Sequence, residues 1–319
     1  MVKLLPILWN VLALLQTPLV LSSPEKLSPG DVGVVFLWIP QGELQPRVAL
    51  LNSQNKTLGT FPTFPWANTQ GYRGFRVALV GLGPDFLPGT YELKVDLSTV
   101  ENGNLYKGGI SRLEVVPRKF KETILRVTPR MRAAQTTPDP RRQEQSRRLT
   151  QVLETFNMQA LQNQQNFQLP LKITFRWTSD YGDRRKEIYP RGGNSTVIHH
   201  GSDLAAPKGT KVFAPAAGRV VLVEDRILTG WTLILEHLPG VYSMFYHMDS
   251  ISAQVGMLYR GGDYLGELGS TGFSTGPHLH WEVRVNTQAV DPVALLGGSL
   301  IDKERLITIM TQAFLQKRG

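Results

Sequence analysis

The chain has 319 residues, of which 41% are hydrophobic and 19% are charged, and its formal net charge is +9. This length predicts about two domains, and the composition excludes a wholly disordered chain. The sequence has no cysteine, which excludes disulfide bonds, thiolate metal ligands and a cysteine nucleophile. Any metal must therefore be bound by histidine and carboxylate side chains.

Residues 1–22 have the plan of a secretory signal peptide, with one lysine, a run rich in leucine and valine, and small residues at the end. Val20 and Ser22 fit the small-residue positions before a cleavage site, so we predict cleavage after Ser22. Asn10 and Gln16 interrupt the apolar run, which disfavours a stable membrane span. An uncleaved segment, the alternative, would attach the protein to a membrane. We expect an exported protein.

Residues 23–117 are predicted to form an immunoglobulin-like β-sandwich domain. Short apolar runs such as VGVVFLWIP, RVALLN and FRVALVGL are separated by glycine, proline or asparagine, which is typical of short strands joined by turns. In TYELKVDL the apolar Tyr91, Leu93 and Val95 alternate with charged residues, as in a half-buried strand. This region has no cluster of catalytic residue types, so we expect a module that binds a partner or positions another part of the protein.

Residues 118–164 are predicted to be an exposed basic linker that ends in a helix. From Arg118 to Arg148 the segment has ten lysine or arginine residues and three acidic residues, so it holds most of the net charge. An anionic envelope polymer is one partner that such a charge would attract, and a solvated linker without a partner is the alternative. Nucleic acid is not expected as a partner, because no motif of interleaved aromatic and basic residues accompanies the charge.

The expected fold class is mainly β. Residues 165–298 return to short apolar runs and predict an antiparallel sheet, because no long helical pattern separates the runs. Residues 299–319 have apolar residues at helical spacing and predict a short C-terminal helix. The N-terminal β-sandwich, the basic helical linker and the C-terminal antiparallel sheet domain together account for the chain.

All six histidines lie in this second β-rich region. In GPHLHWEV, strand geometry would place His278, His280 and Glu282 on one face and apolar residues on the other. A solvated strand edge is the alternative interpretation of this pair of histidines. A hydrolytic zinc site needs three histidine or carboxylate ligands and an open position for water, and HHGSDLAAP supplies His199 and Asp203.

The order of these motifs, H-x-x-x-D, then an aromatic residue two before a histidine, then H-x-H, resembles the lysostaphin-like, LytM-type zinc endopeptidases of bacterial cell walls. The resemblance covers about residues 173–296 and includes HLPGVYSMFYHMDSI and LGELGSTGFSTGPHLHWEV. It departs from the family pattern at Phe245, where tyrosine is usual, although Tyr246 is adjacent. Ser202 also stands where an aliphatic residue is common.

The resemblance implies a metallopeptidase domain that binds one Zn²⁺ ion per chain. It implies three metal ligands: His199, Asp203 and His280. It places two further histidines at catalytic positions: His247 and His278. Two histidines lie outside the pattern and are expected not to be ligands: His200 and His237. Glu282 lies on the predicted face from which it could orient a ligand imidazole, or it is a surface carboxylate.

The implied activity is hydrolysis of peptide bonds in peptidoglycan cross-links or stem peptides by an exported zinc-dependent endopeptidase. A catalytically silent relative that binds the cell wall or regulates another protein is the alternative. A non-haem iron oxygenase with two histidines and one carboxylate is a third interpretation, which leaves the H-x-H pair unexplained. Arg184 and Arg185 follow a Tyr-Gly turn that opens the substrate groove in the family. They would meet an acidic stem peptide or be solvated.

Overall fold

The structure is a computed structural model that describes residues 19–39, 46–66, 75–96, 110–301 and 308. It is mainly β, as predicted, and divides into two compact units. Among the described residues, the first unit comprises those up to 80, those in 86–117 and those from 300 onward, and the second comprises 81–85 and 118–299. In the described ranges, no helix is long and apolar enough to cross a membrane. The predicted C-terminal helix at 299–319 falls almost entirely outside these ranges.

The first unit is a β domain. Its strands are β1 (Leu19–Ser22), β2 (Lys26–Leu27), β3 (Val32–Trp38), β4 (Arg47–Leu51), β5 (Thr57–Pro65), β6 (Phe75–Gly81), β7 (Gly89–Asp96) and β8 (Ile110–Val115). They are hydrogen-bonded in the order β1-β3-β6-β5-β4-β7-β8-β2. The first part of β5 pairs with β4 and its last part with β6. One strand that serves two pairings in this way is a feature of domains in which two sheets pack together.

A tyrosine corner precedes strand β7. The Tyr91 hydroxyl donates to the Leu87 carbonyl at 2.8 Å, and its ring lies 5.0 Å from that of Phe86. This hydrogen bond fixes the turn LPGT against the following strand, and it is found in β-sandwiches with Greek-key connections. It supports the predicted sandwich, whose immunoglobulin-like type stays a prediction.

The end of the predicted signal peptide belongs to the sheet of the first unit. Strand β1 pairs antiparallel with β3, with Leu19 opposite Trp38 and Val20 opposite Leu37. Cleavage after Ser22 would therefore remove one strand of the sheet and expose the edge of β3. Residues 1–18 lie outside the described ranges, and the signal peptide stays a prediction.

The second unit is built on an antiparallel sheet of ten strands. Its strands are β10 (Arg176–Ser179), β13 (Gly201–Ala205), β14 (Lys211–Phe213), β15 (Gly218–Arg226), β16 (Gly230–Leu238), β17 (Val241–Ile251), β18 (Leu258–Tyr259), β19 (Tyr264–Leu268), β20 (Leu279–Val285) and β21 (Gln288–Val290). The main order is β10-β13-β20-β17-β16-β15-β18. Strand β20 is therefore central, with both of its edges paired, and Leu279, Trp281 and Val283 on one face are fully buried.

The basic segment at 118–164 lies within the second compact unit and contributes a strand to it, while most of its basic side chains are exposed. Strand β9 (Glu122–Arg126) pairs in parallel with β11 (Arg184–Ile188), which pairs with β12 (Asn194–Ile198). Two helices follow, α1 (Pro129–Thr136) and α2 (Pro140–Glu154).

Helix α2 agrees with the helix predicted within this segment. Asp139 caps it by accepting from the Arg141 amide at 2.9 Å, and proline stands at its first position. Its half-buried residues Leu149, Val152 and Leu153 pack against a cluster on the sheet. That cluster comprises Leu222, Ile234, Tyr242, Met244 and Tyr246. The apolar stripe anchors the helix, while most of its arginines are exposed.

His237 is a fully buried histidine in the core of the second unit. Its Nδ1–H donates to the Ala217 carbonyl at 2.8 Å, and its Nε2 accepts from the Ser243 hydroxyl at 2.8 Å. A Cβ atom at Gly218 would lie 2.9 Å from Nδ1, so only glycine admits the ring so close to the chain. Burial lowers the pKa of His237 to about 4, although the hydrogen bond to Ala217 raises it slightly.

We predict that replacing His237 makes stability less sensitive to acid. The unfolded chain binds a proton at His237 near pH 6.5 and the folded chain only near pH 4, so stability falls as the pH falls through this range. The loss attributable to His237 reaches about 3 kcal/mol. Urea denaturation and hydrogen exchange of β16 and β17 at pH 7, 6 and 5 should show a shallower decline in His237→Gln. Equal declines in both proteins would contradict this prediction.

Candidate active site

Three buried side chains bring their ligand atoms together beside strand β13. Asp203 on β13 is paired directly opposite His280 on β20, and His199 precedes β13. Asp203 Oδ1 lies 3.0 Å from His199 Nε2 and 2.9 Å from His280 Nδ1, and the two nitrogens are 2.9 Å apart. The three residues are only 4–8% exposed. The pairing of two central strands thus produces a compact His-Asp-His group.

Hydrogen bonds orient both ligand imidazoles. His199 Nδ1–H donates to the Asp180 carbonyl at 2.8 Å, which leaves Nε2 as the nitrogen that faces the group. His280 Nε2–H donates to Glu282 Oε2 at 3.3 Å, which leaves Nδ1. The Tyr246 ring stacks parallel to His280 at 4.9 Å. These contacts set the tautomer and the plane of each ring, as partners of metal-bound histidines do.

A glycine makes the approach of His280 possible. A Cβ atom at Gly201 would lie 2.8 Å from His280 Nε2 and 2.5 Å from the Trp281 carbonyl oxygen. Any other residue at this position would displace the ligand histidine or separate β13 from β20. The glycine in HHGSDL is thus part of the site through its lack of a side chain.

Buried charges control the protonation of the group. Burial favours the neutral forms of Asp203 and His280. The charges and hydrogen bonds of His199 and then His280 outweigh burial for Asp203, and the hydrogen bonds to Asp203 and Glu282 outweigh it for His280. The pKa of Asp203 is held well below its usual value, and that of His280 is raised to about 9 with help from Glu282. Burial lowers the pKa of His199. Without a metal, protonated His280 is a counter-ion of Asp203, and a metal ion would replace its Nδ1 proton.

The group fits a zinc ion in its chemistry and size. Two imidazole nitrogens and one carboxylate oxygen are a donor set used by catalytic zinc sites. Ligands at about 2.1 Å in tetrahedral geometry lie about 3.4 Å apart, and the three atoms here lie 2.9–3.0 Å apart. Each imidazole is held by a partner at its other nitrogen, so little rearrangement of the rings is needed.

Two further histidines lie beside this group in the same cleft. The rings of His247 and His278 are 4.8 Å apart, and His278 Nε2 lies 3.9 Å from Asp203 Oδ1. His247 Nδ1–H donates to the Thr271 carbonyl and His278 Nδ1–H to the Gly276 carbonyl, each at 2.8 Å. Nε2 is therefore the free nitrogen of both rings. Burial, and next the charge of His278, lower the pKa of His247 to about 3, so it is neutral at physiological pH.

A β-bulge directs His247 into the cleft. Trp231 pairs with Met248 and Leu233 with Phe245, so one residue of β16 opposes both Tyr246 and His247. His247 has a φ of 60°, a left-handed conformation that is uncommon outside glycine and that often occurs at functional sites. Strict alternation would have turned Tyr246 and His247 to opposite faces. The sequence pattern contains no signal for this bulge.

Glu282 occupies the orienting position that the strand alternation predicted. Its side chain is buried, with 3% of its surface exposed. Glu282 Oε2 accepts a hydrogen bond from His280, and Oε1 accepts one from the Arg284 guanidinium. Burial raises its pKa, but the charges of Arg284 and His280 outweigh burial and lower the pKa to about 2. Strand β20 is central and this face is buried, so the alternative of a solvated strand edge is excluded.

The two histidines outside the motif pattern contribute no atom to the His-Asp-His group. His200 is half-buried and lies on the wall of the cleft, and its pKa is lowered by burial. His237 lies in the core, as described above.

The cleft has a volume of about 600 Å³ and includes walls that the motifs did not predict. Thr123 and Leu125 on β9 and Met131 on α1 line it, so the basic segment forms one side. Of the predicted arginine pair, Arg184 is engaged with backbone carbonyls at Gly182 and Pro84. The Arg185 side chain lines the cleft, and its guanidinium donates to Asp203.

Comparison with known proteins gives matches over the same region. The model of Peptidase family M23 matches residues 197–292. The DD-carboxypeptidase/endopeptidase Mpg of Neisseria meningitidis is 36% identical over 135 residues, which are 42% of this chain and 30% of Mpg. The peptidoglycan DD-endopeptidase ShyB of Vibrio cholerae is 36% identical over 114 residues, which are 36% of this chain and 26% of ShyB. The chain thus matches less than a third of these curated relatives.

A solved structure matches most of the chain. A Pseudomonas aeruginosa protein whose crystal structure is assigned to peptidase M23 is 25% identical, with a TM-score of 0.54. The match covers 91% of this chain and 98% of that protein. The family model, the related sequences and the His-Asp-His group on the central strands agree. Residues 197–292 are therefore a peptidase family M23 domain, homologous to the lysostaphin and LytM type that the motif order resembles.

Proposed function

We propose that this protein is an exported zinc-dependent endopeptidase that hydrolyses peptide bonds in peptidoglycan cross-links or stem peptides. The observation that carries the proposal is the convergence of the His-Asp-His group with His247 and His278 in one cleft. The relatives named for DD-endopeptidase activity support peptidoglycan peptides as the substrate. A silent binding module has no need for two further histidines whose free nitrogens adjoin the metal ligands.

The proposed roles of the side chains follow from their hydrogen bonds. His199 Nε2, Asp203 Oδ1 and His280 Nδ1 would hold one zinc ion per chain. Bound zinc lowers the pKa of a water ligand and polarises the scissile carbonyl. His247 and His278 are each held at Nδ1 by a backbone carbonyl, so Nε2 is the nitrogen that the neutral ring offers to a proton. One ring can accept a proton from the attacking water, become a donor, and then stabilise the oxyanion or protonate the leaving amine.

The proposed location follows from the proposed substrate. Peptidoglycan lies outside the cytoplasmic membrane, so an enzyme that cleaves it is exported to the periplasm or the cell wall. The predicted signal segment supplies a route, and attachment to a membrane requires that this segment remains uncleaved.

An anionic envelope polymer is supported only weakly as a partner. On α2, Arg147 and Arg148 both pair with Glu144, and Arg148 also pairs with Glu224. Arg141 pairs with its own helix cap, Asp139. Much of the positive charge of the basic segment is therefore matched within the protein, so we favour a structural role for it.

We predict that His280→Ala abolishes both zinc binding and activity, whereas His200→Ala preserves both. The first change removes a ligand from the buried group, and the second removes a neighbouring histidine that supplies no ligand atom. The measurements are zinc content and the release of free amino groups from purified peptidoglycan. Equal zinc content in His280→Ala and the unmodified protein would contradict the assigned ligand set.

We predict that His247→Ala and His278→Ala each retain zinc but lower kcat by about 10²–10⁴-fold, the usual range for loss of a general acid or base. Neither His247 nor His278 supplies an atom to the His-Asp-His group, so zinc content should distinguish these two variants from His280→Ala. A loss of zinc from either variant would make that histidine a ligand.

We predict that Glu282→Gln weakens zinc binding by about 10–100-fold, the range found for partners of ligand histidines. The carboxylate accepts the Nε2 proton of His280 and fixes the ring that offers Nδ1 to the metal. Titration with a competing chelator measures this affinity without reference to catalysis. An unchanged affinity would show that Tyr246 stacking and Asp203 are sufficient to orient His280.

A further inference from the structure

Arg185 is a charged side chain in the cleft that the proposed reaction does not use. Its guanidinium donates to Asp203 Oδ2, the carboxylate oxygen that neither ligand histidine contacts. Its Nε donates to Ser179 Oγ at 3.2 Å, and that hydroxyl donates to Asp183 Oδ2 at 2.7 Å. The side chain lines the cleft and is 20% exposed. It therefore reaches the metal-ligand group from the substrate side.

The position of Arg185 is fixed by strands on both sides of β11. It is paired with Thr123 on β9 and with Val197 on β12. Thr123, Leu125 and Met131 line the same cleft, and Met131 is 3% exposed. A guanidinium beside such partly apolar walls binds a carboxylate more strongly than one surrounded by water.

The charge balance of the cleft changes when a divalent ion binds. Among the described residues that line it, the acidic ones are Asp203 and Glu282. Glu282 is already paired with Arg284. Asp203 is contacted by His199 and His280 at Oδ1 and by the Arg185 guanidinium at Oδ2. A divalent ion would take up the negative charge of Asp203. The positive charge of the Arg185 guanidinium would then be only partly balanced beside the reacting bond.

We propose that Arg185 binds a carboxylate group of the substrate peptide. The guanidinium provides several donors in a planar fork, so it can contact a substrate carboxylate while it remains near Asp203. The group recognised is either the C-terminal carboxylate of a peptide or a side-chain carboxylate close to the scissile bond. This assignment rests on the proposed peptidase function and names the chemistry that selects its substrate.

The test is equilibrium binding of two matched pairs of ligands to the zinc-loaded full chain. One pair is N-acetyl-D-alanyl-D-alanine and its C-terminal amide. The other is N-acetyl-D-glutamyl-D-alanine amide and the corresponding D-glutamine peptide. We expect the unmodified protein to bind one acid about tenfold or more tightly than its amide, and the pair that discriminates identifies the source of the carboxylate. Zinc content is measured for every protein.

Three variants assign the preference to Arg185. Arg185→Gln should bind the acid and the amide equally, and Arg185→Lys should keep part of the preference because it retains the charge without the fork. Lys186→Gln is the matched control, since it removes the same charge from the next residue, which is exposed and does not line the cleft. It should keep the full preference. Because each ratio is measured within one variant, a general loss of affinity cannot imitate a loss of discrimination.

The assignment is overturned if Arg185→Gln keeps the preference for the acid, or if the unmodified protein has none for either pair. Arg185 would then act only by holding Asp203. Cleavage of cross-linked peptidoglycan is measured on the same samples. A preference that depends on Arg185 without any cleavage would refute the proposed peptidase function and leave the carboxylate site. Cleavage without a preference would support the proposed peptidase function and refute the carboxylate site.

Discussion

The Asp203 carboxylate lies between two imidazoles and a guanidinium, and the other parts of the site are arranged around this one buried charge. One oxygen contacts His199 and His280, and the second contacts Arg185. A buried carboxylate without such partners would destabilise the fold by several kcal/mol. In the metal-free protein a proton on His280 supplies the missing positive charge, and a metal ion would take its place. Folding and metal binding therefore depend on the same three contacts.

This constraint explains why the site lies on the most buried strands of the second unit. His280 is far along the chain from His199 and Asp203, and the pairing of β13 with β20 brings Asp203 opposite His280. Glu282, two residues further along β20, fixes His280 from behind. On the other side of β20, the pairing with β17 brings Tyr246 opposite His280, and the adjoining bulge turns His247 toward the ligands. Asp203, His247 and His280 lie within strands of this sheet, and His199 and His278 lie next to strand ends, which holds them more closely than long loops would.

Strand alternation and motif order predicted the mainly β fold and named the five residues that the structure brings into one cleft. Alternation also predicted that Glu282 shares a face with His280. The bulge at His247 could not be predicted, because it depends on how β16 and β17 pair. The packing of β9 was also missed, since the charge of its segment indicated a solvated linker while Thr123 and Leu125 form a half-buried face. The contact of Arg185 with Asp203 could not be predicted either. It joins β11 to β13, and no sequence motif places these two strands next to each other.

The most direct test of the central claim is zinc-edge anomalous diffraction from crystals of the zinc-loaded full chain. The account predicts one peak per chain within bonding distance, about 2.0–2.2 Å, of His199 Nε2, Asp203 Oδ1 and His280 Nδ1. It also predicts that the fourth position is open to solvent on the side of His247 and His278. A peak bound by His247 or His278 in place of one of the three ligands, or no peak in this cleft, would contradict it.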